Sequence, residues 1–256
     1  MKIAILGAGN MGGAIARGLA QGGLVATKDI TVTNPSVGKL DKLKAEYPEI
    51  NVSTDNSVAS EADMVIVAVK PWKVEEVVKP LHLRCPQIVV SVAAGISFDT
   101  LKEYVDKDMT MFRVIPNTAI SCLASTTLIA ECNASPGHTQ MLLDLFNEMG
   151  LSILIEEKQM TAATALTSCG IAFVLKYVQA AMQAGVEVGI RPKDAMKMLA
   201  QTLDGAAQLL LTDENTYPAI EIDKVTTPGG ITIKGVNQLD HDGFTSAVIN
   251  AVKACM

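Results

Sequence analysis

Gly7-Ala8-Gly9-Asn10-Met11-Gly12 fits the spacing G-x-G-x-x-G, directly after the apolar run Ile3–Leu6. In such a loop the first glycine permits a tight turn. The second lets backbone approach a pyrophosphate, and the third lets a helix pack close to a strand. A helix opening at Asn10 would turn unpaired N–H groups and a partial positive charge toward phosphate oxygens. The pattern is weak alone, but a strand before it and a helix after it are the context the chemistry needs. Leu6, Ala8, Asn10 and Met11 complete the expected cradle. The competing reading is a glycine-rich turn that only packs a helix on a sheet.

The next apolar run, Ile30–Thr33, leads into Asn34-Pro35-Ser36-Val37-Gly38-Lys39. An NAD site usually has a carboxylate at this strand tip, where it bonds the ribose 2′-hydroxyl. None stands here, and Asn34, Ser36 and Lys39 could all donate to a 2′-phosphate. The expectation is NADP, with NADPH favoured over NADH as reductant. A solvated helix position is the plain alternative for Lys39.

The elements that would hold these loops read as alternating strands and helices. Strands are expected near 2–6, 30–33, 62–69, 88–92, 111–114, 126–130 and 152–155, and helices near 10–21, 36–47, 74–78, 98–104 and 140–149. Unbroken apolar runs such as Met64–Val67 suit parallel strands covered on both faces, and the alternation implies a doubly wound parallel sheet. Beyond Glu156 nothing reads as a strand. A long, sparsely charged stretch over 161–189 calls for a core or an interface, and helices follow near 192–211, 232–240 and 243–255, with a turn at 226–230. The expected organisation is an α/β domain over 1–156 and an all-α domain over 157–256.

Composition narrows the classes further. The 256 residues carry 21 Lys+Arg against 27 Asp+Glu, a net charge of −6, with 49% apolar and only 4% aromatic residues. No basic cluster suits nucleic acid. No apolar run reaches the roughly 20 residues of a membrane span, and the N-terminus lacks a signal-peptide pattern, so a cytosolic location is expected. Five scattered cysteines, Cys85, Cys122, Cys132, Cys169 and Cys255, and three distant histidines fit no metal or disulfide framework. Reduced, mostly buried thiols are expected. Trp72, the only tryptophan, reads as a packing residue.

Three further segments carry a resemblance: Ala68-Val69-Lys70-Pro71 with Ala93-Ala94-Gly95-Ile96; Arg113-Val114-Ile115-Pro116-Asn117-Thr118; and, most specific, Val225-Thr226-Thr227-Pro228-Gly229-Gly230-Ile231-Thr232. With the glycine loop, and over essentially the whole chain, the sequence resembles the pyrroline-5-carboxylate reductases. The resemblance implies a Rossmann domain followed by a helical domain that makes a homodimer or a larger assembly of dimers. In that family the active site lies between cofactor and helical domain, with residues supplied across the dimer. The reaction is hydride transfer to the C=N carbon of a cyclic imino acid, for which orientation is the main demand. By the match, Asn56, Val69, Lys70, Pro71, Ala93 and Ala94 border the cofactor, and Asn117 and Thr118 lie near its nicotinamide end. Gly229 and Gly230, before a helix containing Ile231 and Thr232, would leave N–H groups open to a carboxylate. Thr227 could bond the same group, and Thr232 could serve the ring nitrogen as the catalytic residue. Asp223 and Lys224 could line the site. Helix capping is the alternative for Thr226 and Thr227, and surface charge for Asp223 and Lys224.

One stretch departs from the family. The usual SGSGPAY reads Ser168-Cys169-Gly170-Ile171-Ala172-Phe173 after Thr167, which puts the identity of the imino acid in doubt. Loss of the proline should make this helix more continuous. Two other readings remain: a related imine or 3-hydroxyacid oxidoreductase, for which Lys176 is the one candidate lysine, and a dinucleotide-binding sensor without catalysis.

Overall fold

The computed structural model describes residues Met1–Met256 and divides into two compact units, Met1–Ser168 and Cys169–Met256. In the first unit the order is β1 (Ile3–Leu6), α1 (Asn10–Gln21), β2 (Ile30–Thr33), α2 (Val37–Glu46), β3 (Asn51–Ser53) and β4 (Met64–Val67). Then come α3 (Val74–Val78), β5 (Ile88–Ser91), α4 (Phe98–Leu101), β6 (Thr110–Ile115), β7 (Ser125–Cys132), α5 (Pro136–Asn147), β8 (Gly150–Leu154) and α6 (Met160–Thr164).

The strands form one eight-stranded sheet in the order β3-β2-β1-β4-β5-β6-β7-β8. Side chains alternate across it, because successive residues of a strand face opposite sides. Ile3 and Ile5 enter one core with Ile15 and Leu19 of α1 and Phe146 of α5. Ala4 and Leu6 enter the other with Val74, Val78, Phe98 and Met160. Each fully buried Ile or Leu contributes about 1.5–3 kcal/mol relative to an exposed one. Order reverses between β1 and β4, and the register pairs Leu6 with both Thr33 and Val67, so β1, β2 and β4 end level. Ligands bind outside the carboxyl ends of strands at such a reversal.

The fully parallel expectation needs one correction. β6 and β7 are antiparallel, with Arg113 opposite Ala130. Only Pro116–Ala124 joins them, and a parallel crossover needs a dozen residues or more. β8 returns parallel to β7 through α5. The short edge strand β3 was not expected: Asn51-Val52-Ser53 is polar and partly exposed and has no apolar period to read.

The second unit contains only helices: α7 (Gly170–Glu187), α8 (Pro192–Thr212), α9 (Pro218–Val225), α10 (Ile231–His241) and α11 (Phe244–Lys253). α9, with proline at its first position, was not anticipated. Within Cys169–Met256 a single residue, Ala195, is buried (3% exposed). Leu175, Val188, Leu211 and Ile231 stand 60–86% exposed. The stretch Glu157–Glu187 is long and apolar enough by composition to cross a membrane, contrary to the expectation of no such run, and it is 6% buried within the single chain.

The turn between α6 and α7, Ala165–Cys169, is π-helical. The helix is thus unbroken, as loss of proline suggests, but not regular. Such turns are rare and gather at functional sites. Here Thr167 donates its hydroxyl to the Ala163 carbonyl at 2.9 Å and Ser168 donates to the Pro116 carbonyl at 3.2 Å.

Candidate functional site

The glycine loop joins β1 to α1, and its three glycines have three different surroundings. Gly7 has φ +108°, and a Cβ there would meet the Ala68 carbonyl oxygen at 2.7 Å. A Cβ on Gly12 would meet the Gly7 carbonyl oxygen at 1.9 Å and the Ala68 methyl at 2.9 Å. Gly9 has nothing within 4 Å of its Cβ position. The outer two glycines are therefore consumed by packing, and the middle one keeps an open face. Gly9 caps α1 without a side-chain bond, so the first N–H groups of the helix stay unpaired. Ala8 is buried, Asn10 exposed and Met11 between the two. A cradle open at Gly9, closed beneath by Ala68, and faced by helix N–H donors fits a dinucleotide pyrophosphate.

Around the cradle the other expected residues sit at strand ends. Asn34 accepts from the Ala8 N–H at 3.2 Å and donates to the Ser36 hydroxyl oxygen at 2.9 Å. Its amide is thus occupied locally, while the Ser36 hydroxyl proton and the exposed Lys39 ammonium, which has no ion pair, stay available. Asn56 accepts from the buried Thr33 hydroxyl at 2.5 Å. Its turn is capped by Asp55, whose carboxyl is held below the usual range by the Ser57 hydroxyl and then by the Ser57 N–H. Val69 lies against Gly7, Pro71 opens a short 3-10 turn capped by Lys70, and Lys70 is exposed without an ionic partner. Trp72 in that turn is 76% exposed, which overturns its reading as a packing residue. Apolar character argued for burial, but the level C-terminal ends of the strands leave this turn beyond the core.

Ala93 is buried and Ala94 exposed after β5. After β6, Asn117 is buried, donates its N–H to the Ser125 hydroxyl oxygen at 3.1 Å, and accepts from the Ala119 N–H at 2.9 Å. Thr118 beside it is exposed. Ser125 also accepts from the Thr127 hydroxyl at 3.0 Å. These two buried hydroxyls escape sequence reading, because a lone Ser or Thr in a strand carries no pattern.

In the helical unit, Thr227-Pro228-Gly229-Gly230 forms a turn closed by the Gly230 N–H on the Thr227 carbonyl at 2.9 Å, with Gly229 at φ +76°. Proline followed by a positive-φ glycine is a type II turn. The Gly230 N–H is therefore not open, contrary to expectation, and the free donors are those of the first turn of α10, beginning at Ile231 and Thr232. The Thr227 hydroxyl oxygen lies 2.7 Å from the Gly230 Cβ position, so only glycine admits it. Thr232 and Ile231 are exposed. The Thr226 hydroxyl is turned back to the Ile222 carbonyl at 3.0 Å, the capping alternative. Lys224 pairs with Glu221 at 2.7 Å, while Asp223 is exposed without an ionic partner. Lys176 donates to Gln179 at 2.9 Å and is exposed.

The thiols also differ from expectation. Cys85, Cys122 and Cys255 are exposed, and Cys132 and Cys169 partly so. Desolvation, and then the hydrogen bond with Cys255, push the Cys169 thiol above its ordinary value of 9.0, which keeps it protonated and a poor nucleophile. Two concavities lie apart from the loops. One of about 420 Å³ is lined by Lys2, Lys28 and Asn51, and one of about 580 Å³ by Glu131, Leu154 and Glu157. Neither contains a glycine-loop residue.

Known proteins match two stretches of the chain. Residues 157–256 match the family described as pyrroline-5-carboxylate reductase dimerisation, and residues 2–95 the one described as NADP oxidoreductase coenzyme F420-dependent. Pyrroline-5-carboxylate reductase 1 of Dictyostelium discoideum is 37% identical over 98% of this chain, which spans 48% of that relative's length. Pyrroline-5-carboxylate reductase 2 of the same organism is 36% identical over 98% of this chain and 89% of its own. The crystal structure of Plasmodium falciparum pyrroline carboxylate reductase with NADP bound superposes with a TM-score of 0.88 at 26% identity, covering 100% of this chain and 95% of that one. With the glycine cradle at the sheet's reversal, an all-helical C-terminal unit and relatives aligned along nearly its whole length, the chain belongs to the pyrroline-5-carboxylate reductase family of oxidoreductases.

Proposed function

We propose that this chain reduces 1-pyrroline-5-carboxylate to proline, with NADPH the favoured reductant and NADH accepted, as a cytosolic homodimer. Residues 1–156 hold the dinucleotide and residues 157–256 serve the imino acid and the second subunit. The observation that carries this reading is the pair of open helix N-termini, one at the Gly9 cradle and one after the Thr227–Gly230 turn. The first suits a pyrophosphate and the second a carboxylate.

The N–H groups opening α1 would hold the pyrophosphate, with Ser36 and Lys39 donating to the 2′-phosphate. Asn117, fixed by Ser125 and Ala119, would lie near the nicotinamide, and the strand-end residues Ala93 and Ala94 would border the cofactor. When bound, the reduced nicotinamide supplies a hydride. The Ile231 and Thr232 N–H groups, with the Thr227 hydroxyl, anchor the substrate carboxylate. The Thr232 hydroxyl donates to the imine nitrogen, or relays a proton to it through water, and so draws electron density from the C=N carbon as the hydride arrives. Orientation of the ring supplies most of the acceleration.

The test is loss of NADPH absorbance with 1-pyrroline-5-carboxylate, compared among wild type, Thr232→Ala and Thr232→Ser. Thr232→Ala should lower turnover by about tenfold to a hundredfold, and the serine variant should recover most of it. Wild type that binds NADPH but oxidises none of it would end the substrate assignment. Undiminished turnover in Thr232→Ala would remove Thr232 from the chemistry.

A further inference from the structure

Glu157 bonds to both segments that flank the loops after β5 and β6 expected to border the cofactor. Its Oε1 accepts from the Phe98 N–H at 2.8 Å and from Arg113 Nη1 at 2.7 Å. The Arg113 side chain is 10% exposed and the Glu157 side chain 36%. Arg113 Nε is buried without a partner. A buried guanidinium with an idle donor is a poor stabilising device, since apolar residues of similar volume often serve at least as well. Position explains it better. Phe98 opens α4 just after the segment Ala93–Ser97, which is held at its end by the Ser97 hydroxyl accepting from the Thr100 N–H at 3.2 Å and at its start only by the long 3.4 Å bond from the Ala93 N–H to the Ser91 hydroxyl oxygen. Arg113 sits on β6 three residues before Pro116, whose carbonyl receives the Ser168 hydroxyl. One carboxylate oxygen therefore ties together the segment after β5, the strand that leads to Asn117, and the start of the helical stretch.

We propose that Glu157, clasped to Arg113 and the Phe98 N–H, is a positioning residue that sets the Ala93–Ile96 and Pro116–Thr118 loops against the dinucleotide. This rests on the reductase reading above for its turnover assay, but not for its binding assay. The decisive variant is the double replacement Arg113→Met with Glu157→Met, which removes both charges together and so leaves no orphaned ion. It should fold with a melting midpoint close to wild type. Its NADPH dissociation constant should rise at least about threefold and its kcat/KM fall about tenfold, because the Phe98 N–H has lost its acceptor. Glu157→Gln keeps a carbonyl oxygen for both donors but leaves the Arg113 charge without its counter-ion, so it should melt below wild type while its NADPH affinity stays closer to wild type than that of the double variant. A folded double variant with wild-type affinity and turnover overturns the proposal. So does a double variant that fails to fold, which would make the pair structural. NADPH affinity is read by calorimetry without substrate, so a wild type that binds NADPH but reduces no imine would end the reductase reading while the clasp is still measured.

Discussion

A Cβ on Gly12 would stand 1.9 Å from the Gly7 carbonyl oxygen, whereas one on Gly9 would touch nothing within 4 Å. The two substitutions therefore separate folding from binding. Gly12→Ala forces α1 away from the loop and should cost more than about 3 kcal/mol. Gly9→Ala should leave the melting midpoint nearly unchanged while weakening NADPH affinity by about tenfold or more, since the methyl group enters the space reserved for phosphate. Thermal unfolding and calorimetry on the two variants check this. Equal effects of both on stability would refute it.

Cofactor choice is expected to turn on Asn34. Asn34→Asp keeps an acceptor for the Ala8 N–H, placed at 3.2 Å in the wild type, but loses the donation to Ser36 and puts a carboxylate at the strand tip. The ratio of kcat/KM for NADPH over NADH should fall by about tenfold, roughly 1.4 kcal/mol. An unchanged ratio would show that the 2′-phosphate is recognised elsewhere.

Acid should loosen α9 through Glu221. Lys224, and then the Thr216 hydroxyl, hold the Glu221 carboxyl below its ordinary value of 4.5. A carboxylate depressed in the folded state adds stability above its unfolded pKa and loses it as pH falls through the folded value. The melting midpoint should thus decline below pH 4.5, and Glu221→Gln should make that decline shallower. Parallel slopes for the two proteins would dismiss Glu221 as a source.

Trp72, 76% exposed, should emit as a water-facing indole and be quenched readily by acrylamide. Trp72→Phe should change stability by no more than about 0.5 kcal/mol. Blue-shifted, protected emission from the free enzyme would mean that another surface covers it.

Much of this architecture can be read from apolar period alone. α1 and the run Met64–Val67 stand out because a helix face and a doubly covered strand each leave a distinct spacing. Three kinds of feature do not. β3 is too short and polar to show a period. The reversed direction of β7 depends on the length of one connection, which a list of elements does not weigh. The Glu157–Arg113 clasp joins residues 44 apart through side chains, and a lone Glu after a strand is indistinguishable from surface charge. At the candidate site the loops were legible and the donors less so: the Gly230 N–H was expected to be free and is consumed by its own turn.

The lone buried Ala195 of the helical unit has a kinetic consequence. In the proposed homodimer, a segment whose apolar side chains are covered by the second copy cannot complete its folding by a first-order process. Its final step is bimolecular, and its apparent melting point should climb with protein concentration. At the low concentrations early in synthesis, chains would wait with folded sheets and sticky helices, the state in which chaperones and aggregation compete for them.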